Sequence, residues 1–316
     1  MTAPAADGFC TSDGTRLRVD LTGPAGGQAT LVLIHGWTQD RRTWDRVLAE
    51  LPPGQRVVRY DLRGHGGSAP ARQGTATIDQ LADDLAELIA ARVPSGRLVL
   101  AGHSMGGMTI MALAERHPEL VSGRVDGVAF VATSSGDMHR ITLGLPGVLG
   151  GGAARAERRL AELLLAYRKD VLPLRPGAAR AGARWLVFGR RARREDVVAV
   201  VDQLLCAHPA SIGGFQNAIS LHDRRVALAA LRNTTALVLA GEADRLCPVR
   251  HAEAIASELP GARLVLYPGA GHMLPQERAA EVAARLGALV RGAAGSPLRN
   301  AEGGTRRRYP ATPASR

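Results

Sequence analysis

An α/β fold with a mostly parallel central sheet is what this 316-residue chain predicts. Three observations carry the expectation. Short apolar runs alternate with stretches of helical periodicity along most of the chain. The runs are near-continuous in Val, Leu and Ile, the mark of strands buried on both faces, and β-α alternation makes such strands parallel. The alternation stops once, over 138–225, and then resumes, so a helical segment is inserted between two strands.

In chain order, ATLVLIHG (29–36) reads as the first strand, bounded by glycine, and 42–51 as a helix. RVVRYD (56–61) is the second strand. The helix Ile78–Arg92 follows, with Ile78, Leu81, Leu85, Leu88 and Ile89 on one face. GRLVLAGHS is the third strand, and the helix that begins with MGGMTIM stops before Pro118. VDGVAFVAT (125–133) is the fourth. Beyond the interruption come strands at 235–244 and 262–272, with helices at 250–259 and 275–290. The interruption holds helical segments such as 156–167 and 196–206 and no convincing strand. The expected organisation is a core formed by 1–137 and 226–291, a helical cap over 138–225, and a disordered basic tail over 292–316.

A pI of about 10.9 raises the question of a nucleic-acid partner, and the placement of the charge answers it. Residues 138–225 carry 15 Arg or Lys against 7 acids, and 291–316 carry 6 against 1; the remainder is close to neutral. No nucleic-acid motif accompanies the excess, so no nucleic-acid partner is expected. The arginines of 138–225 read first as a solvated helix face and second as an attraction for an anionic acyl group. Three widely spaced cysteines argue against a disulfide framework, and the opening MTAPAADGFCTSDG has no basic run leading into an apolar one. The expectation is a cytoplasmic protein with no membrane span. The nine histidines form no metal-ligand pairs, and neither GVLGGGAA nor GHSMGG has dinucleotide spacing, so neither metal nor cofactor is expected.

Gly102-His103-Ser104-Met105-Gly106 fits G-x-S-x-G. With 37 glycines in the chain, only context gives the match weight. Here it ends a buried strand and opens a helix, which is where a serine hydroxyl is lifted above a sheet edge as a nucleophile. A serine needs a base, and the base needs a carboxylate. His272, in the glycine-rich YPGAGHMLPQE, follows the last strand; Asp244, in GEADRL, follows the one before. The backbone N–H groups of Trp37, after the first strand, and of Met105 are the natural pair for an oxyanion hole.

These motifs resemble the α/β-hydrolase superfamily over roughly residues 13–290, in the stretches LIHGW, YDLRGHGGS, LAGHSMGG, GEADRLCPV and GAGHMLPQE, all in the family's order. The resemblance implies the α/β-hydrolase fold with a mostly parallel sheet, flanking helices and a cap. It also implies a Ser104-Asp244-His272 triad, with Asp137, just past the fourth strand where some members place the acid, as the alternative to Asp244, and structural rather than catalytic roles for Arg63 and His65. Relatives that use aspartate at the position of Ser104 are set aside, as are those that need two cap tyrosines, since 138–225 holds only Tyr167. Those relying on an active-site lysine fare no better, because Lys169 is the only lysine. Serine acyl transfer to water remains, with a small-molecule acyl substrate, apolar or carrier-bound. A tailoring thioesterase or cyclase and a carbon–carbon bond hydrolase use the same triad, and a non-catalytic ligand receptor on this fold is the remote alternative. The stretch between Arg140 and Arg155 carries no charge and is either an apolar flap over an acyl pocket or a plain connector.

Overall fold

A computed structural model describes residues 7–24, 29–138, 147–167, 169–172 and 174–294. Among the described residues eight strands form one sheet: β1 (Asp7–Cys10), β2 (Arg16–Thr22), β3 (Thr30–Ile34), β4 (Val57–Tyr60), β5 (Leu98–His103), β6 (Val125–Val131), β7 (Thr235–Gly241) and β8 (Arg263–Tyr267). Their order across the sheet is β1-β2-β4-β3-β5-β6-β7-β8. From β4 onward every neighbour is parallel, with Ile34 beside Gly102 and Gly102 beside Phe130 in register. All residues of β3 and β5 are buried, as their unbroken apolar runs require.

The hairpin β1–β2 was not anticipated by the sequence reading. It pairs antiparallel with the edge, β2 against β4. Its signals are the turn residues Ser12-Asp13-Gly14, with Gly14 at φ +79°, and the alternating burial of Arg16–Thr22.

Helices cover both faces. On one side, α2 (Ile78–Arg92) and α3 (Met105–Arg116) join a core that includes Leu81, Leu85, Leu100, Met108 and Phe130. Thr77 caps α2 by accepting the Gln80 N–H at 3.1 Å. On the other side, α1 (Asp45–Glu50) and α11 (Ala279–Ala294) pack Val47, Val282, Leu286 and Val290 against Leu31, Val99 and Ala129. Arg63 and Asp84 are both buried, with Nε to Oδ2 at 2.7 Å, and Arg63 also reaches Asp13. That pairing pins the loop after β4 to α2.

Several bounds differ from expectation. The helix expected over 42–51 is a 3-10 turn, Arg41–Trp44, followed by α1. Pro118 does more than end α3: it opens a second short helix, α4 (Pro118–Arg124), by sitting at the first helical position, where its missing N–H costs nothing. The helix expected over 275–290 breaks at Arg278 (φ −137°) into α10 (Leu274–Glu277) and α11. The last two strands end at Gly241 and Tyr267, so Asp244 and His272 both lie in loops beyond them.

Among the described residues between β6 and β7 lie four α-helices, α5 (Gly147–Leu165), α6 (Pro176–Leu186), α7 (Arg194–Cys206) and α8 (Pro209–Ser220), and a 3-10 turn, Val226–Leu231. Residues 147–155 of the expected flap are the first turns of α5, while 139–146 lie outside the described residues, as do 295–316 of the expected tail. The segment shares two small apolar clusters with the loops after β3 and β8. One contains Phe188, Val197, Val200 and Met273, and the other Leu172, Ala207 and Ile212 with Trp37 against it. After α8, the helix α9 (Val249–Glu258) fills the β7–β8 crossover. Among the described residues no single helix is long and apolar enough to cross a membrane.

Candidate active site

Ser104 stands between β5 and α3 with φ 52° and ψ −117°, a left-handed conformation that a residue with a side chain rarely adopts. Packing enforces it. A Cβ on Gly102 would collide with the carbonyl of Gly106, and a Cβ on Gly106 would collide with the Ile34 carbonyl of β3. The turn is held from three sides: the Ser104 N–H donates to the Val131 carbonyl (2.9 Å), and the Ser104 carbonyl accepts from Gly107 N–H (2.9 Å) and Thr133 Oγ1 (2.6 Å). Ser104 occupies the N-cap position of α3 but makes no side-chain capping bond, and it is half-exposed between buried neighbours. Its hydroxyl is not consumed by the helix.

His272 and Asp244 are buried, and the histidine Nδ1 lies 2.8 Å from Asp244 Oδ2. The other carboxylate oxygen accepts the N–H groups of Leu246 (2.8 Å) and Cys247 (2.9 Å), which fixes the plane of the carboxylate. An Nδ1–H donated to Asp244 leaves Nε2 as the free base. The His103 Nε2–H, one residue before Ser104, donates to the His272 carbonyl at 2.9 Å, so the serine and histidine loops meet. Burial, with the neighbouring His272 second, pushes the His103 imidazole down to about 3 and keeps it neutral.

Asp137 goes elsewhere. It has φ 60°, and its carboxylate faces Arg225 at 3.3 Å with both side chains partly in solvent. The structure brings Asp244, not Asp137, to His272.

Gly36 lies directly against the serine: a Cβ there would sit 3.0 Å from Ser104 Cβ and 2.9 Å from His103 Nδ1. The Gly36–Trp37 peptide therefore borders Ser104. His35 fixes that turn, donating from Nδ1 to the Gly36 carbonyl (2.8 Å) and accepting the Leu62 N–H at Nε2 (2.9 Å). Full burial lowers His35 to about 4, so this tautomer persists at neutral pH. On the far side, Met105 is the first residue of α3, and its N–H has no helical carbonyl to bond.

The sequence reading did not assign His35, His103 or Thr133 to the site. Each belongs to it by holding a backbone group of the turn, a role that only a neighbouring strand or loop reveals. Among the described residues no group of three or more His, Cys, Asp or Glu could hold a metal ion.

The family model of the alpha/beta hydrolase fold matches residues 29–279. A pimeloyl-[acyl-carrier protein] methyl ester esterase of Aromatoleum aromaticum is 30% identical over 252 residues, covering 77% of this chain and 90% of the relative. The dihydrolipoyllysine-residue acetyltransferase component of the acetoin cleaving system of Cupriavidus necator is 31% identical over 88% of this chain and 67% of its own length. Among solved structures, a thermophilic esterase from Thermogutta terrifontis aligns with TM-score 0.73 at 27% identity, over 91% of this chain and 98% of the other. The sheet order, the turn at Ser104 and these matches agree, and the chain belongs to the α/β-hydrolase family.

Proposed function

We propose that the protein is a serine hydrolase that cleaves a carboxylic ester through an acyl-enzyme. One observation carries this reading: a buried His272–Asp244 pair at 2.8 Å whose loop is bonded to the residue preceding a strained, half-exposed serine. His272 Nε2 takes the Ser104 proton as the hydroxyl attacks the carbonyl carbon. The resulting imidazolium is balanced by Asp244, and the oxyanion is received by the Met105 and Trp37 amides. The same proton then passes from His272 to the departing alkoxide, and water attacks the acyl-enzyme with His272 again as base.

The helices between β6 and β7 serve as a cap over the acyl pocket in this reading. Their excess of arginine, 15 basic residues against 7 acids over 138–225, favours an acidic or carrier-borne ester as the second reading. The named activity of the Aromatoleum relative supports that choice of substrate class.

The test is a series of p-nitrophenyl and alkyl esters of increasing acyl length, offered to wild type, Ser104→Ala and His272→Ala. Turnover that disappears in both variants is the expected result, with rate losses of several powers of ten. Unchanged turnover in either variant removes the assignment. Raising ionic strength lowers kcat/KM for an acidic ester if the arginines attract it, and leaves it unchanged if they do not.

A further inference from the structure

Three of the four loops that carry the proposed catalytic groups, those of Trp37, Asp244 and His272, are tied to the segment between β6 and β7. The indole N–H of Trp37 donates to the Ile212 carbonyl of α8 at 3.0 Å. Arg245, next to Asp244, donates from Nη1 to the Trp185 carbonyl, and its guanidinium lies 5.1 Å from the centre of the Trp185 ring. The base loop is held closest. The Val187 carbonyl accepts the N–H groups of both His272 (2.9 Å) and Met273 (3.1 Å), and Arg190 N–H donates to the Gly269 carbonyl at 3.2 Å. Backbone touches backbone here: a Cβ on Gly271 would lie 2.5 Å from the Gly189 nitrogen, and one on Gly189 would collide with the Gly269 carbonyl.

One side chain closes this junction. Glu277 Oε1 accepts the Gly271 N–H at 2.9 Å, and its Oε2 accepts the Gly189 N–H, also at 2.9 Å. Two converging N–H donors call for an acceptor at each oxygen, which an ionised carboxylate supplies; the isosteric amide would point an NH₂ at one of them. Arg184 buttresses the same strip, with Nη1 on the Gly189 carbonyl and Nη2 on the Arg190 carbonyl, each at 2.8 Å.

Resting on the assignment of His272 as the base, we propose that Glu277 is a positioning residue for the reaction, clamping the His272 loop to the inserted segment at Gly189. Glu277 does not touch substrate; it acts through the Gly271 and His272 backbone. Residues 187–190 thereby become part of the scaffold that holds the His272 loop.

The experiment compares Glu277→Gln and Glu277→Asp with wild type on two esters of one acyl group, an alkyl ester and a p-nitrophenyl ester. The alkyl leaving group must take a proton from His272 as it departs, whereas p-nitrophenolate leaves as a stable anion. A displaced base therefore harms the alkyl ester more. The readout is the ratio of the two kcat/KM values, in which the amount of active enzyme cancels, so partial unfolding does not move it.

The expected result is a rise of about tenfold in the p-nitrophenyl to alkyl ratio for Glu277→Gln, a part of what general acid catalysis supplies. Glu277→Asp keeps the charge but is one methylene too short to span both amides, and a smaller rise is expected. If both variants keep the wild-type ratio, whether their rates fall together or not at all, the positioning role is overturned. Failure of the underlying assignment is read separately: His272→Gln that turns over the p-nitrophenyl ester at the wild-type rate means that there is no base to position.

Discussion

Ser104 is strained by its surroundings rather than by its own preference. The carbonyls of Ile34 and Gly106 leave no room for a side chain at Gly106 or Gly102, and the sharp turn between them follows. Gly106→Ala should therefore cost about 1–3 kcal/mol by overpacking, measured by urea denaturation, and should depress activity with it. The two candidate acids separate at this scale as well. Asp244→Asn should lower kcat/KM by a factor on the order of 10³–10⁴, because the imidazole loses its fixed tautomer. Asp137→Asn, facing Arg225, should leave kcat/KM within about twofold, since partly exposed pairs contribute little. Equal losses in both variants would contradict the assignment of Asp244. Ser104, Asp244 and His272, the proposed triad, stand out as candidates in the sequence because each follows an apolar strand in a recognisable loop. His103, His35 and Thr133 do not, since their work is to bond backbone groups that lie far away in sequence.

Strands and helices were read best where one buried face repeats. Helix α2 matches its expected span, Ile78–Arg92, because five apolar side chains share a face and Thr77 opens it with a side-chain bond. Thr77→Ala should cost about 1 kcal/mol of stability in a denaturant melt and leave turnover unchanged. The hairpin β1–β2 leaves little periodic signal in the sequence because β1 is four residues long and partly exposed. The break at Arg278 is invisible to periodicity. It lies next to Glu277, whose carboxylate is committed to Gly189 and Gly271. Trp37 links two elements by its indole, and Trp37→Phe keeps the apolar ring while deleting the N–H that reaches Ile212. Loss of that bond should lower thermal stability by about 1 kcal/mol equivalent, with kcat/KM falling as the Gly36–Trp37 peptide loses its anchor.

At the scale of the whole molecule, buried neutral histidines set the response to acid. Burial, the leading cause in each, holds His35 and His222 down to about 4 and His65 and His103 down to about 3, against an ordinary value of 6.5. Below 6.5 the unfolded chain takes up protons at these four sites that the folded chain refuses, so acid favours unfolding. Each depressed histidine removes about 1.4 kcal/mol of stability per pH unit between 6.5 and its folded value. The melting temperature should therefore fall steadily from pH 7 to pH 4.5, and a flat profile would contradict neutral burial of these rings. Basic charge enters here too. It concentrates in the segment between β6 and β7, a pattern plain in the sequence. That the segment is bonded to the loops of Trp37, Asp244 and His272 was not readable, because those bonds join positions far apart in the chain.

Intact-mass labelling with a fluorophosphonate reads out whether Ser104 is activated by His272 and Asp244. A single adduct on wild type and none on Ser104→Ala under the same conditions is the expected result. No adduct on folded wild type, or an equal adduct on the Ser104→Ala variant, would contradict that activation.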